Sequence, residues 1–224
     1  MVAAPHAFAP SPRVLLTGFD PFGGDPINPS WRIAQALHRR QIAGHHVQAA
    51  QLPTVFGDAL ARLHELLQAH PPALVICLGL AAGRGALSLE RIAINVNDAR
   101  IADNAGALPI DEPVVPGGPA AYFSRLPIKA IVAALREAGL PASVSQSAGT
   151  FVCNHVFFGL MHALRRRRRV RAGFVHLPVL PEQVAAHPGQ PSLPLATLVQ
   201  GLRLAMHTAV TCADDLPLAG GSIA

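Results

Sequence analysis

The chain is poor in cysteine, with three in 224 residues, at positions 77, 153 and 212. An odd count at such wide spacing is no disulfide framework; it points to reduced thiols and a cytoplasmic protein. There is no C-x-x-C, and the eleven histidines fall into neither H-E-x-x-H nor a paired zinc-ligand spacing, so no metal is expected. No apolar run reaches the roughly 18 residues a bilayer span needs, because Arg, His, Gln or Asp interrupts each one. No membrane association is expected. The first residues, rich in Ala and Pro, lack a basic segment followed by an apolar one, so 1–12 reads as a flexible extension rather than a signal peptide. Residues 13–224 read as one α/β domain, half of the chain being hydrophobic and sufficient for a sizeable core.

The net charge of +5 owes much to Arg165-Arg166-Arg167-Arg168-Arg169. A nucleic-acid patch is one reading, but no aromatic residue interleaves the run to stack bases. The run also follows Val156, Phe157, Leu160, Met161 and Leu164, which fall at helical spacing. Arginines there meet the negative end of a helix and face water, so no nucleic-acid partner is expected.

Short apolar runs alternate with amphipathic segments. Strands are expected at 14–17, 46–52, 73–78, 87–96, 143–147 and 171–177, the fourth of them as one of a pair. Helices are expected at 30–40 with Ser30 as N-cap, and at 56–69, 127–138, 153–166 and 195–210. Such alternation means an α/β fold on a mostly parallel sheet. Residues 97–119 read as a long loop over a site.

In such sheets ligands bind beyond the carboxyl ends of the strands. Cys153 follows a strand and opens a helix, where unpaired N–H groups and a partial positive charge favour a thiolate. His176 closes a strand, and Glu90 lies in another apolar run. A nucleophile, a base and a group that orients the base are what thiol acyl transfer requires. His155 is nearer to Cys153 in sequence, but residues two apart on a helix do not face each other. Cys77, in a buried strand, and Cys212 have no such setting. Two glycine-rich loops, Gly18-Phe19-Asp20-Pro21-Phe22-Gly23-Gly24-Asp25 and Gly79-Leu80-Ala81-Ala82-Gly83-Arg84-Gly85, match no nucleotide fingerprint. The first, with its two phenylalanines, suits a small apolar slot or a satellite core under a loop. The second is a place where backbone approaches a ligand closely.

Taken together, Leu16-Thr17-Gly18-Phe19-Asp20-Pro21-Phe22-Gly23-Gly24, Asn28-Pro29-Ser30-Trp31, Glu90-Arg91-Ile92-Ala93-Ile94-Asn95, Gly149-Thr150-Phe151-Val152-Cys153-Asn154 and His176-Leu177-Pro178 resemble the pyroglutamyl peptidase I family, the pyrrolidone carboxyl peptidases. The resemblance runs from about Arg13 to the end of the closing helix. It implies a three-layer α/β/α sandwich around a mostly parallel, mixed sheet. It further implies a cytosolic, cofactor-free cysteine exopeptidase that removes N-terminal pyroglutamyl residues through a thioester, and that forms dimers or tetramers. The family's nucleophile, base and third member fall on Cys153, His176 and Glu90. Phe19, Phe22, Phe151 and Val152 fall where the family builds its lactam slot, Arg100 matches an arginine close to the reacting centre, and Asn28 reads as structural. Leu80 stands where the family often has Gln, which keeps a main-chain contact to the lactam and loses a side-chain one. Ser88-Leu89 replaces Thr-Pro ahead of Glu90. Another amidase or acyl transferase using the same triad is the rival enzyme, and an RNA-binding protein working through the arginine run is the rival from another class.

Overall fold

The structure is a computed structural model that describes residues 12–69 and 71–221; of the expected extension at 1–12 all but Pro12 lies outside them. In chain order the elements are β1 (Arg13–Phe19), α1 (Pro29–Leu37), β2 (Gln41–Ile42), β3 (His45–Leu52), α2 (Asp58–Ala69), β4 (Leu74–Leu80), β5 (Leu87–Glu90), β6 (Ile92–Ile94), β7 (Ala121–Phe123), α3 (Ile128–Glu137), β8 (Ala142–Ser145), α4 (Val152–Ala163), β9 (Arg171–Leu177), a 3-10 turn at Pro181–Gln183 and α5 (Leu195–Thr211). The main sheet has seven strands in the order β2-β3-β1-β4-β9-β5-β8, and β6 pairs with β7 apart from it. Strands β3, β1, β4 and β9 are parallel. β5 runs against β9, and β8 runs with β5.

Alternation along each strand sorts the core into two halves. Val14, Leu16, Leu74, Ile76, Leu78, Leu87, Leu89, Val175 and Leu177 face α1, α3 and α5. Leu15, Phe19, Val75, Cys77, Ala172 and Phe174 face α2 and α4. The result is the expected α/β/α sandwich on a mixed, mostly parallel sheet. Among the described residues no helix is long and apolar enough to cross a membrane.

Two local expectations are corrected. The N-cap of α1 is Asn28, whose side chain accepts from Ser30 N, with Pro29 at the first helical position. Pro29 lacks an N–H to satisfy, which suits it to that place. The run at 87–96 breaks at Arg91 into β5 and β6, strands of different sheets. The main sheet keeps β5, while β6 turns away to lie under α4, where Asn154 Oδ1 accepts from Ile94 N and Asn154 Nδ2 donates to Ile94 O and Val96 O. The segment 97–119 is the expected long loop, drawn together by an isolated bridge between Asn97 and Glu112.

Candidate active site

Glu90 and His176 project from β5 and β9 toward α4. Glu90 is 0% and His176 4% exposed, so an ionised carboxylate there needs partners. Glu90 Oε1 accepts from His176 Nδ1 at 2.7 Å and from Arg84 Nη1 at 2.6 Å, while Glu90 Oε2 is buried without a hydrogen bond. Because a carboxylate only accepts, the imidazole proton is assigned to Nδ1, and Nε2 is left with its lone pair. Burial holds the His176 imidazole below its ordinary range; Glu90 pulls it up and Arg84 pulls it down. Burial thus favours the neutral form of the resting imidazole.

Cys153 is the second residue of α4, which has Phe151 as N-cap and no side-chain cap. Its position relative to His176 follows from one glycine. Gly79 of β4 lies opposite His176 of β9 in the sheet, and a Cβ on Gly79 would fall 2.8 Å from Cys153 Sγ and 2.8 Å from the Phe174 ring. The thiol therefore rests on bare backbone beside the histidine strand, and the Phe174 and His176 rings are 4.8 Å apart. Burial, then the charge of Glu90, pushes the thiol up to about 12, with Arg84 acting in the opposite sense. The helix start was expected to lower the thiol. Such a terminus contributes typically under about 1 kcal/mol, less than one unit, and the removal from water outweighs it. Among the described residues no hydrogen bond yet joins Cys153 to His176.

The aromatic wall is built from three loops. Phe22, half-buried, lies 6.2 Å from Phe151, and Phe151 meets Phe56 edge-on at 5.4 Å. Phe56 carried no sequence signal beyond its place at a helix start. Phe19 is 2% exposed and packs on Phe174 at 6.5 Å, so its side chain belongs to the core under the loop. Val152 is likewise buried. Leu80 ends β4 at the carboxyl edge, half-buried, and the next residue's N–H donates to Leu177 O. Arg100 is exposed and makes no hydrogen bond or ion pair among the described residues. It lies two residues past Asp98, whose N–H donates to Thr150 O and whose carbonyl accepts from Thr150 Oγ1.

The polar residues around the wall hold its loops. Asn28 Nδ2 donates to Asp20 O, and Ser30 Oγ accepts from Phe19 N, fixing the turn that carries Phe22. Asp103 accepts from Phe56 N, Ala105 N and Ala107 N. His155 Nδ1 bonds Asn97 Oδ1 at 2.9 Å, and Nε2 accepts from Gly57 N at 3.1 Å. With both nitrogens used and burial pushing it down to about 4, His155 is a neutral clamp. Besides Phe56, the residue not singled out in the sequence is Arg84, six positions before Glu90 in a loop read only for its glycines.

A pyroglutamyl peptidase family model matches residues 12–212. The chain is 59% identical over 214 residues to a pyrrolidone-carboxylate peptidase of Cupriavidus taiwanensis, covering 95% of this chain and 99% of that one. It is 57% identical to that of Erwinia tasmaniensis over 94% of this chain and 98% of the relative. Among solved structures, pyroglutamyl peptidase I from Bacillus amyloliquefaciens superposes with TM-score 0.90 at 45% identity, covering 93% of this chain and all of that one. The pyrrolidone carboxyl peptidase from Thermococcus litoralis gives 0.89 at 38% identity, with coverage of 93% and 99%.

Proposed function

The chain belongs to the pyroglutamyl peptidase family, and we propose that it removes N-terminal pyroglutamate by attack of Cys153 with His176 as base and Glu90 as the carboxylate that orients it. The observation that carries the residue assignment is the Glu90–His176 hydrogen bond of 2.7 Å next to a thiol seated over Gly79. Hydrogen bonds between nucleophile and base commonly tighten only in the substrate complex.

Cys153 and His176 start as a neutral pair, so proton transfer to Nε2 accompanies attack on the exocyclic carbonyl of the pyroglutamyl residue. A thioester forms as the amine leaves with that proton, and water activated by the same nitrogen then releases pyroglutamate. The uncapped start of α4 offers main-chain N–H groups to the oxyanion, each worth roughly 3 kcal/mol of barrier. Phe22, Phe151 and Phe56 line one side of the lactam ring, with Phe19 and Val152 beneath, the main chain at Leu80 at the sheet edge and Arg100 at the entrance. No step calls for a cofactor. A cytoplasmic location fits the unpaired cysteines.

Hydrolysis of pyroglutamyl, prolyl and acetyl-aminoacyl anilides by the purified protein tests the reading. A prolyl ring lacks the lactam carbonyl and carries a charged amine, so a preference of about 10⁴-fold in kcat/KM for pyroglutamyl is expected. Comparable rates would replace the lactam slot with a general amidase site.

A further inference from the structure

We propose that Arg84 is a positioning residue that decides where the proton sits in the triad. The inference rests on the Cys153–His176–Glu90 assignment. A carboxylate as buried as Glu90 must be met by positive charge, and two groups compete for the same oxygen: the guanidinium at 2.6 Å and the imidazole at 2.7 Å. With Arg84 in place the charge is balanced by an ion pair and the imidazole stays neutral. Without it, the cheapest counter-charge is a proton on His176, and an imidazolium cannot accept the proton of Cys153.

The same side chain has a second hold. Arg84 Nη2 donates to Ser147 O at 3.1 Å, in the segment that leads through Gly149 to Cys153. One guanidinium thus spans the strand that bears the acid and the loop that delivers the nucleophile, a task for a planar fork that a lysine point charge does not reproduce. The loop geometry fits this use: Arg84 N donates to Ala81 O across a turn, and Gly83 takes φ +91. The ionisable groups around the imidazole are Glu90 from β5, Arg84 from the β4–β5 loop and Cys153 from α4, with Cys77 of β4 near enough to act on Cys153.

Arg84 is 29% exposed and lines a hollow of about 310 Å³ with Gly85, Ala86, Ser88 and Ser143 to Ser145. A small cation can therefore reach the place its side chain would vacate. In the Cys153→Ala background, which needs no activity, the His176 ring followed by NMR should titrate at higher pH after Arg84→Ala. In the active enzyme the acid limb of the kcat/KM profile should move the same way. Each unit of displacement is tenfold below the limb, so a loss of about tenfold or more is expected at pH 6. Arg84→Lys should return the limb toward its original position with kcat only partly restored. A few millimolar guanidinium should rescue Arg84→Ala beyond equal sodium chloride. A His176 titration unmoved in folded Arg84→Ala, or in Arg84→Gln if the alanine variant does not fold, overturns the proposal. Full activity in Cys153→Ala would instead overturn the triad.

Discussion

Cys153 is half-buried, and burial together with the neighbouring Glu90 pushes its thiol up, favouring the protonated form at rest. Reaction with iodoacetamide should therefore keep accelerating from pH 6 to pH 9, where a preformed thiolate would plateau below pH 7. In a Cys212→Ser background inactivation should track one equivalent on Cys153, and His176→Ala should slow it. Cys77, 0% exposed with its thiol also pushed up to about 12, should be spared. The two supporting residues should differ in severity. With His176 as the proposed base, His176→Ala removes proton transfer itself and should leave almost no turnover, whereas Glu90→Gln leaves an imidazole that still finds its geometry part of the time. Steady-state kinetics on a pyroglutamyl anilide would show the difference, and equal mild losses would move the base elsewhere. His155 would not be the substitute, since both of its nitrogens are engaged. The three residues of the proposed triad stood out in the sequence because each sits beside a strand or helix end with a recognisable motif. Arg84 was not, because nothing in a Gly-rich loop says which way its arginine folds back.

At the scale of elements, loops held by single side chains form the site. Asn28 caps α1 and grips Asp20 O behind Phe22. Asn28→Ala should cost about 1 kcal/mol, read as a lower melting temperature, and should raise KM more than it lowers kcat as the Phe22 turn loosens. His155 gives a pH signature. Its folded value lies below its unfolded one, so the unfolded chain binds the proton first. The stability it provides is complete above about pH 6.5 and is lost as pH falls toward about 4. Between pH 7.5 and 5 that amounts to roughly 1–2 kcal/mol, and His155→Gln should flatten the corresponding slope of melting temperature against pH. Element types were readable from periodicity, but partners were not. The run at 87–96 reads as one strand because both halves are apolar, whereas β6 is held apart by its pairing with β7 and by the hydrogen bonds of Asn154. That β5 and β8 run against β9 leaves no trace in an apolar run, since alternation is blind to direction.

Across the whole molecule, the arginine run lies at the far end of α4 from Cys153. It caps carbonyls as the sequence suggests, Arg165 reaching His162 O, and Arg167 reaches Leu67 O of α2; Arg125, from the segment before α3, bonds Leu164 O and Arg167 O. Replacing Arg166, Arg167 and Arg168 with Ser should leave kcat/KM on a neutral substrate within about twofold while lowering the melting temperature a few degrees. A large loss of activity would mean that this end communicates with the site. Ile101, Leu108 and Ile110 are 51%, 51% and 70% exposed, which makes Ile110 a site at which to test the expected self-association. Sedimentation velocity should find a dimer or tetramer, and Ile110→Asp should shift it toward the monomer. The feature with the widest reach is the smallest. At Gly79 a single methyl group would press into both the sulfur and the Phe174 ring. A chain that keeps every catalytic side chain but carries any other residue at that strand end should be a well-built scaffold without the chemistry, so one missing carbon atom is the mark by which a working relative can be told from a silent one.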